Sequence, residues 1–206
     1  MERAVLNVGG GAKSYPISAH YSGWRHDLLD IDPACNPDIL MDARSLATLP
    51  GGTYDAVYCS HNLEHYHRHD AIKVVQGFIH VLKPDGFVEI HVPDVQMVMR
   101  HAIANNLDID DVLYVARAGP ILVRDVIYGY HVEIERSNND FYGHRTGFSP
   151  KSLQAFLFSL GFAAGNVSSP PFRPDPTHHA FAMQALMFKQ LPTPEQTKLL
   201  GLTASR

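Results

Sequence analysis

The sequence has few cysteines, no dense block of basic residues and no long apolar run. Among its 206 residues only Cys35 and Cys59 are cysteines, too few for a disulfide framework. Lysine and arginine (17) are outnumbered by aspartate and glutamate (21), so the charge does not favour a nucleic-acid partner. No apolar run reaches the roughly 18 residues that cross a bilayer. We therefore expect a reduced, cytoplasmic protein without a signal peptide, a membrane span or a nucleic-acid partner.

What the chain does contain is enough apolar sequence for one complete core. Hydrophobic residues make up 45% of it, and short apolar runs alternate with helical patterns, which is typical of a parallel sheet. Strands are predicted at 4–8, 26–31, 39–41, 54–59, 87–92, 162–168 and 180–188. The order of these strands and helices predicts an α/β fold with right-handed crossovers.

Two helices are predicted with clear boundaries. The first has apolar residues at helical spacing, namely Ile72, Val75, Phe78, Ile79 and Leu82. The run Lys83-Pro84-Asp85-Gly86 ends it with a proline and a turn glycine. In the second, Ser149 is the expected N-cap, Pro150 takes the first helical position and Gly161 ends the helix.

Residues 1–190 are interpreted as a single domain. Residues 95–147 are interpreted as a helical insertion that covers the ligand edge of the sheet. Within it, the runs IDDVLYVARAG and PILVRDVIYGY are predicted to form short helices. Residues 191–206 are interpreted as a polar C-terminal tail. No property of the chain indicates its oligomeric state.

Two longer stretches of the sequence resemble one known family. They are LPGGTYDAVYCSHNLEHY at 49–66 and VLKPDGFVEIHVPD at 81–94. In this order and spacing they are similar to the class I S-adenosylmethionine-dependent methyltransferases, over about residues 4–190. The chain looks most like the small methyltransferases often associated with cell-surface polysaccharide genes, which share a shortened first helix and a YGH…GF stretch.

The resemblance implies a fold and a cofactor. The fold is a Rossmann-like three-layer sandwich around a mostly parallel seven-stranded sheet whose last strand is antiparallel. The cofactor is S-adenosyl-L-methionine. A pyrophosphate ligand would need a helix N-terminus after the first strand, but Pro16 opposes a long helix there. A sulfonium cofactor carries no phosphate, so an irregular loop suffices for it.

By the same resemblance, the turn after the first strand passes beneath the methionine part of the cofactor. Gly9, Gly10 and Gly11 lack side chains, so the backbone can approach a ligand closely. Asn7 stands where the family usually has an acid, and Lys13 where a third glycine is common. Lys13 could pair with the methionine carboxylate. The alternative interpretation of the glycines is a tight turn without a ligand.

The resemblance assigns the nucleoside part of the cofactor to the next two strand ends. Asp30 would accept hydrogen bonds from both ribose hydroxyls, with Ile31 against the adenine. Asp32 lies on the same side of an extended chain and could compete for this role. Asp42 would accept from the adenine amino group, and the Ala43 amide would donate to a ring nitrogen. The alternatives are an ordinary turn acid at residue 30 and a solvated loop acid at residue 42.

The reacting groups are expected after the fourth strand, where open parallel sheets bind ligands. Ser60 and His61 would face the cofactor methyl group or the incoming acceptor, with His61 as general base or as a polar wall of the site. His144, with Tyr142 and Arg145, is expected to line the acceptor site, and His144 is the second candidate catalytic residue. The alternative for these three residues is a loop braced by its own hydrogen bonds.

The histidines at 65–69 do not predict a metal site. His65, His67 and His69 alternate, but the start of a helix would scatter them around its axis. We expect no metal, and interpret His65 as a residue that braces the loop.

The predicted function is S-adenosylmethionine-dependent methylation of a small-molecule or saccharide acceptor, at oxygen. One alternative is a non-catalytic binding protein with a degenerate cofactor site, suggested by Asn7 and Lys13. A nicotinamide-dependent oxidoreductase is less favoured, because a G-x-G-x-x-G pattern from Gly9 would need glycine where Ser14 stands.

Overall fold

The computed structural model describes residues 2–117, 119–169 and 180–202. The strands are β1 (Ala4–Val8), β2 (Arg25–Asp30), β3 (Ile39–Leu40), β4 (Tyr54–Ser60), β5 (Leu82–Pro93), β6 (Val112–Ala116), β7 (Gly119–Leu122), β8 (Ala164–Ser168) and β9 (Ala182–Phe188). The α-helices are α1 (Arg68–Val81), α2 (Val95–Ala104), α3 (Val123–Tyr128), α4 (His131–Ser137), α5 (Pro150–Ser159) and α6 (Pro194–Leu199). None of the described helices is both long and apolar enough to cross a membrane.

Seven strands form one sheet in the order β3-β2-β1-β4-β5-β9-β8. The pairs β2–β3, β1–β2, β1–β4 and β4–β5 are parallel, whereas β9 is antiparallel to both β5 and β8. This confirms the predicted mostly parallel, Rossmann-like sheet with an antiparallel last strand. The carboxyl ends of β1, β2, β3 and β4 consequently meet at one edge.

One face of the sheet is covered by α1 and α5. Val74, Val75 and Phe78 of α1 are fully buried, as the helical spacing predicts. Gly77 lets the turn that contains Leu46 approach this helix, because a Cβ there would stand 2.5 Å from Leu46 Cβ. The face holds most of the apolar core and provides a rigid base for the loops at the carboxyl edge.

The other face is covered by shorter segments. Between β1 and β2 there is only a 3₁₀ turn, Ala19–Tyr21, which confirms that no long helix follows the glycine turn. Tyr21 packs there against Phe87 of β5. Leu200 and Leu202 also pack on this face, and α6 begins at a Thr193 capping box. The segment predicted as a polar tail thus contains a helix and two leucines that pack on the sheet, and its residues 203–206 lie outside the described chain.

The segment 95–147 is only partly helical. The run predicted as the helix IDDVLYVARAG instead forms β6, which pairs antiparallel with β7. Three of the five residues of β6, Val112, Tyr114 and Val115, are β-branched or aromatic, and such residues favour a strand over a helix. The second predicted helix begins only at Val123. This hairpin and its helices pack into a second apolar cluster beside β9.

Candidate functional site

The loop that follows β1 lies beneath two asparagine side chains. Gly9 adopts a left-handed backbone conformation (φ 69°), and a Cβ there would stand 2.1 Å from Asn62 Nδ2. A Cβ on Gly10 would stand 2.2 Å from Asn7 Nδ2. Both positions therefore require glycine, because only a residue without a side chain lets the backbone of the loop approach these two asparagines so closely.

The two asparagines also offer hydrogen-bond acceptors. Asn7 Oδ1 and Asn62 Oδ1 are buried, and neither accepts a hydrogen bond from the part of the chain that the structure describes. A buried acceptor without a donor costs about 1–3 kcal/mol, so a ligand that donates here would be stabilised. The ammonium group of a methionine moiety is such a donor. Asn7, which replaces the usual acid, thus fits the predicted cofactor.

Asp30 connects the end of β2 to the glycine loop. Its carboxylate is buried; Oδ2 accepts from the Gly11 amide at 3.1 Å and Oδ1 from the Asp32 amide at 3.0 Å. Each oxygen keeps a further lone pair for a ribose hydroxyl. Asp32 instead caps the next 3₁₀ turn through the Ala34 amide. Ile31, next to Asp30, exposes 43% of its surface. It therefore offers an apolar surface at the position where adenine was predicted to pack.

Two of the predicted cofactor contacts already have ion-pair partners. Asp42 accepts from the Arg44 amide and from Arg44 Nε, both at 2.9 Å, and the hydrogen bond from the guanidinium lowers the pKa of the Asp42 carboxyl. Lys13 Nζ donates to Asp38 Oδ1 at 2.7 Å. Ala43 is buried at the start of the same turn. A ligand at Asp42 or Lys13 would therefore share these groups with an existing partner.

His61 begins the loop after β4 in an unusual conformation. Its φ of 49° is left-handed, which is uncommon for a residue with a side chain and is often found at functional sites. The His61 amide donates to the His91 carbonyl at 2.9 Å, and its Nδ1 lies 3.3 Å from Glu64 Oε1. Ser60 is the register partner of His91. The backbone thus holds the His61 ring next to the buried carboxylate of Glu64.

His144 lies on the other side of that carboxylate. Its ring contacts the His65 ring edge-on, with centroids 4.9 Å apart, and its Nδ1 donates to the Val126 carbonyl at 3.0 Å. Burial lowers the pKa of His144. Burial alone would raise the pKa of Glu64, but the contact of His61 and the charges of His65 and His144 outweigh it and lower that pKa.

The two residues predicted beside His144 point elsewhere. Arg145 donates to Asp140 Oδ2 at 2.7 Å, and Tyr142 exposes 40% of its surface. Neither contributes to the cluster around Glu64. His67 and His69 stack on each other at an exposed position, away from that cluster.

An open cavity of about 560 Å³ lies on the face of the sheet that carries the 3₁₀ turn. It is lined by Pro16, Ile17, Ser18, Tyr58, His91, Ser168, Ser169, Ala182 and Gln184. Since the His91 carbonyl accepts from the His61 amide, the cavity wall adjoins the loop after β4. The sequence analysis did not predict this cavity.

A buried glutamate organises the cavity wall. Glu89 lies in the middle of β5 and accepts from Ser18 Oγ at 2.5 Å, and from His91 Nε2 and Gln184 Nε2 at 2.8 Å. His20 Nε2 lies 3.0 Å from its other oxygen. The run FVEIHV could have predicted part of this network. Glu89 and His91 alternate with apolar residues there, so their side chains lie on the same face of the strand.

Comparisons with known proteins identify the family. The family model described as a methyltransferase domain matches residues 2–164. No curated protein matches the chain closely enough to count as a relative.

Solved structures have the same fold. A SAM-dependent methyltransferase from Archaeoglobus fulgidus is 13% identical, with a TM-score of 0.54 over 91% of this chain and 86% of that chain. The PH0226 protein from Pyrococcus horikoshii is 13% identical, with a TM-score of 0.59 over 91% and 82%. The 1,6-didemethyltoxoflavin-N1-methyltransferase of Burkholderia thailandensis, solved with 1,6-didemethyltoxoflavin and S-adenosylhomocysteine bound, is 15% identical, with a TM-score of 0.54 over 92% and 72%.

At these identities the likeness to solved structures concerns the fold, whereas the family match covers most of the chain. The strand order, the glycine loop and the acids at the ends of β2 and β3 agree with that match. The chain therefore belongs to the methyltransferase domain family and is, as its motifs predict, a class I S-adenosylmethionine-dependent methyltransferase.

Proposed function

We propose that this methyltransferase modifies an oxygen atom of a small-molecule or saccharide acceptor bound in the cavity beside β5. The observation that carries the proposal is the chemistry of the lining. Ser18, Tyr58, His91 and Gln184 present hydroxyl, imidazole and amide groups. Ser18, His91 and Gln184 already donate to Glu89, so Ser18 Oγ and Gln184 Oε1 can accept from a ligand, and the Tyr58 hydroxyl can donate to it. Such a lining suits a polyhydroxylated molecule. The volume, about 560 Å³, lies in the range of small-molecule sites, roughly 300–1,000 Å³.

The cofactor lies along the carboxyl edge of β1–β4 in this proposal. S-adenosylmethionine supplies an electrophilic methyl group, so the chain's task is to bind it, align it with the acceptor and exclude water. The assigned contacts are Asn7, Gly9, Gly10, Gly11, Asp30, Ile31, Asp42, Ala43, Ser60 and His61. The support for this assignment is the glycine loop, the buried acceptors of Asn7 and Asn62, and the buried carboxylate of Asp30.

His61 takes the proton of the acceptor hydroxyl. Its position supports this role, because its amide donates to the carbonyl of His91, which lines the cavity, and its backbone has a left-handed conformation. Glu64, 3.3 Å from His61 Nδ1, orients the ring. His144 was predicted as catalytic as well. Its contacts with Val126 and His65 favour a positioning residue behind Glu64.

The proposal is tested in two steps with the purified chain. Calorimetry with S-adenosylhomocysteine measures cofactor binding. Incubation with S-adenosylmethionine and a panel of saccharides, phenols and amines then measures methyl transfer by mass spectrometry. We expect an acceptor to gain one methyl group at oxygen. Methylation of amines alone would contradict the oxygen assignment. Cofactor binding without any transfer would favour the alternative, a binding protein with a degenerate site.

Gln184→Leu and Glu195→Gln make a matched pair for the cavity. Gln184 lines the cavity, whereas Glu195 is exposed on α6. We expect the first change to raise KM for the acceptor and the second to leave it unchanged. Equal KM values in both variants would show that the acceptor binds elsewhere. The free thiols of Cys35 and Cys59 agree with the cytoplasmic location that we also propose.

A further inference from the structure

Three side chains that can coordinate a metal ion meet next to the predicted active site. One ligand atom from each of Glu64, His65 and His144 lies within 4.8 Å of the other two. Glu64 is only 1% exposed, and neither of its carboxylate oxygens accepts a well-aligned hydrogen bond from the described residues. A buried carboxylate in this state is costly unless it is paired or coordinates a metal.

Both histidines are already oriented for coordination. His65 Nδ1 lies 3.1 Å from the Gly143 carbonyl, and His144 Nδ1 lies 3.0 Å from the Val126 carbonyl. A carbonyl only accepts, so each Nδ1 carries a hydrogen, and a ring that loses its other proton has its lone pair on Nε2. This arrangement, in which the second ring nitrogen donates to a backbone carbonyl, is the usual support of metal-bound histidine.

The backbone fixes the two parts of the cluster to each other. The Glu64 carbonyl accepts from the Arg145 amide at 2.8 Å and from the Thr146 amide at 3.1 Å. The His144 amide donates to the Tyr128 carbonyl at 2.9 Å. The ligands are therefore brought together by hydrogen bonds that do not depend on an ion.

We propose that Glu64, His65 and His144 bind one divalent transition-metal ion. Two imidazoles and one carboxylate suit zinc, cobalt, nickel, iron or manganese, whereas magnesium and calcium prefer oxygen ligands throughout. Ligand bonds of about 2.1 Å in a tetrahedral site place ligand atoms roughly 3.4 Å apart, so the side chains close inward by an ångström or so. His61 adjoins this site, since its Nδ1 lies 3.3 Å from Glu64 Oε1.

This set differs from the histidines that the sequence suggested. Only His65 belongs to both, and His144 comes from a distant part of the chain. The inference does not depend on methyl transfer, since it concerns the coordination of an ion by this chain alone.

Cobalt titration of the chelator-treated full-length chain tests the proposal. We expect saturation at one Co²⁺ per chain, visible absorption bands typical of coordination by nitrogen and oxygen, and displacement of Co²⁺ by Zn²⁺. His144→Ala and Glu64→Gln should each weaken Co²⁺ binding by at least about 100-fold, more than the loss of a supporting group. The double variant His67→Ala/His69→Ala, which removes the exposed pair, should bind like the wild type.

Loss of fold is separated from loss of a ligand by thermal unfolding without metal. A variant that unfolds like the wild type and no longer binds Co²⁺ supports the proposal. Absence of Co²⁺ binding by the folded wild type would overturn it, as would binding that the His67→Ala/His69→Ala variant loses. Because neither measurement uses cofactor or acceptor, failure of the methyltransferase proposal would leave this result unaffected.

Discussion

The side chain of Asn62 lies directly over Gly9, so that a Cβ on residue 9 would stand 2.1 Å from Asn62 Nδ2. The two residues belong to the loops after β4 and after β1, which border the proposed cofactor site from opposite sides. Their contact sets the distance between the two loops. Any side chain at residue 9 must push them apart.

Gly9→Ala should therefore abolish cofactor binding. The left-handed backbone costs about 1–2 kcal/mol with any L side chain, and the collision with Asn62 adds to this cost. Gly52→Ala is the matched control, because Gly52 has nearly the same φ of 66° but no atom lies within 4 Å of the position that its Cβ would take. Calorimetry with S-adenosylhomocysteine checks the pair. Similar affinities in the two variants would show that the Gly9 loop does not contact the cofactor.

Asp30→Asn should weaken S-adenosylhomocysteine binding by about 1–3 kcal/mol, since a charged acceptor for the ribose is lost. Asp32→Asn should have a smaller effect, because the Asp32 carboxylate caps its own 3₁₀ turn through Ala34, whereas Asp30 contacts the glycine loop through the Gly11 amide. Calorimetry of both variants decides between the two acids that the sequence left open. If Asp32→Asn loses more affinity for S-adenosylhomocysteine than Asp30→Asn does, Asp32 and not Asp30 binds the ribose.

His61→Asn should lower turnover by about 100- to 10,000-fold, the usual contribution of a general base. Asparagine is the chosen replacement because it tolerates the left-handed conformation of residue 61. Affinity for S-adenosylhomocysteine should stay within a few-fold of wild type. If turnover with an acceptor from the panel changes only slightly, His61 lines the site without acting as the general base.

Glu89 is expected to make the stability of the fold dependent on pH. Burial alone would raise its pKa, but hydrogen bonds from His20, His91 and Ser18 outweigh it and hold the pKa well below the usual range. A carboxyl with a lower pKa in the folded state stabilises the fold above its unfolded pKa, about 4.3. This contribution is lost as the pH falls below that value. Tyr21 and Tyr58, which also face Glu89, stay neutral because burial raises their pKa values.

Glu89→Gln should lower the free energy of unfolding at pH 7 by about 1–3 kcal/mol. The difference from the wild type should shrink as the pH falls from about 5 toward 3. Denaturant unfolding at several pH values measures it, with the exposed Glu195→Gln as control. A difference that stays constant across this range would show that the network does not depend on the charge of Glu89.

Helices whose ends are set by nearby capping residues could be predicted from the sequence. Ser149 accepts from the Ser152 amide and Pro150 opens α5, as the capping pattern indicates, and Gly161 follows its end with φ 112°. The hairpin of β6 and β7 was predicted as helix, because its buried residues Leu113 and Ala116 are three positions apart, a spacing that is also typical of a helix. Its pairing also depends on the cluster beside β9, which local propensity does not encode.

The sequence by itself determined where the seven strands of the main sheet lie, the glycine loop and the acids at the strand ends, because each depends on residues close together along the chain. Only the tertiary structure decided which side chains share a site. It placed His144 beside Glu64 and His65, and it brought Ser18 and Gln184 within hydrogen-bond distance of Glu89. Both arrangements depend on contacts between segments far apart in sequence. Such contacts follow from how α1, β5 and the segment 95–147 pack, and packing is a property of the whole chain.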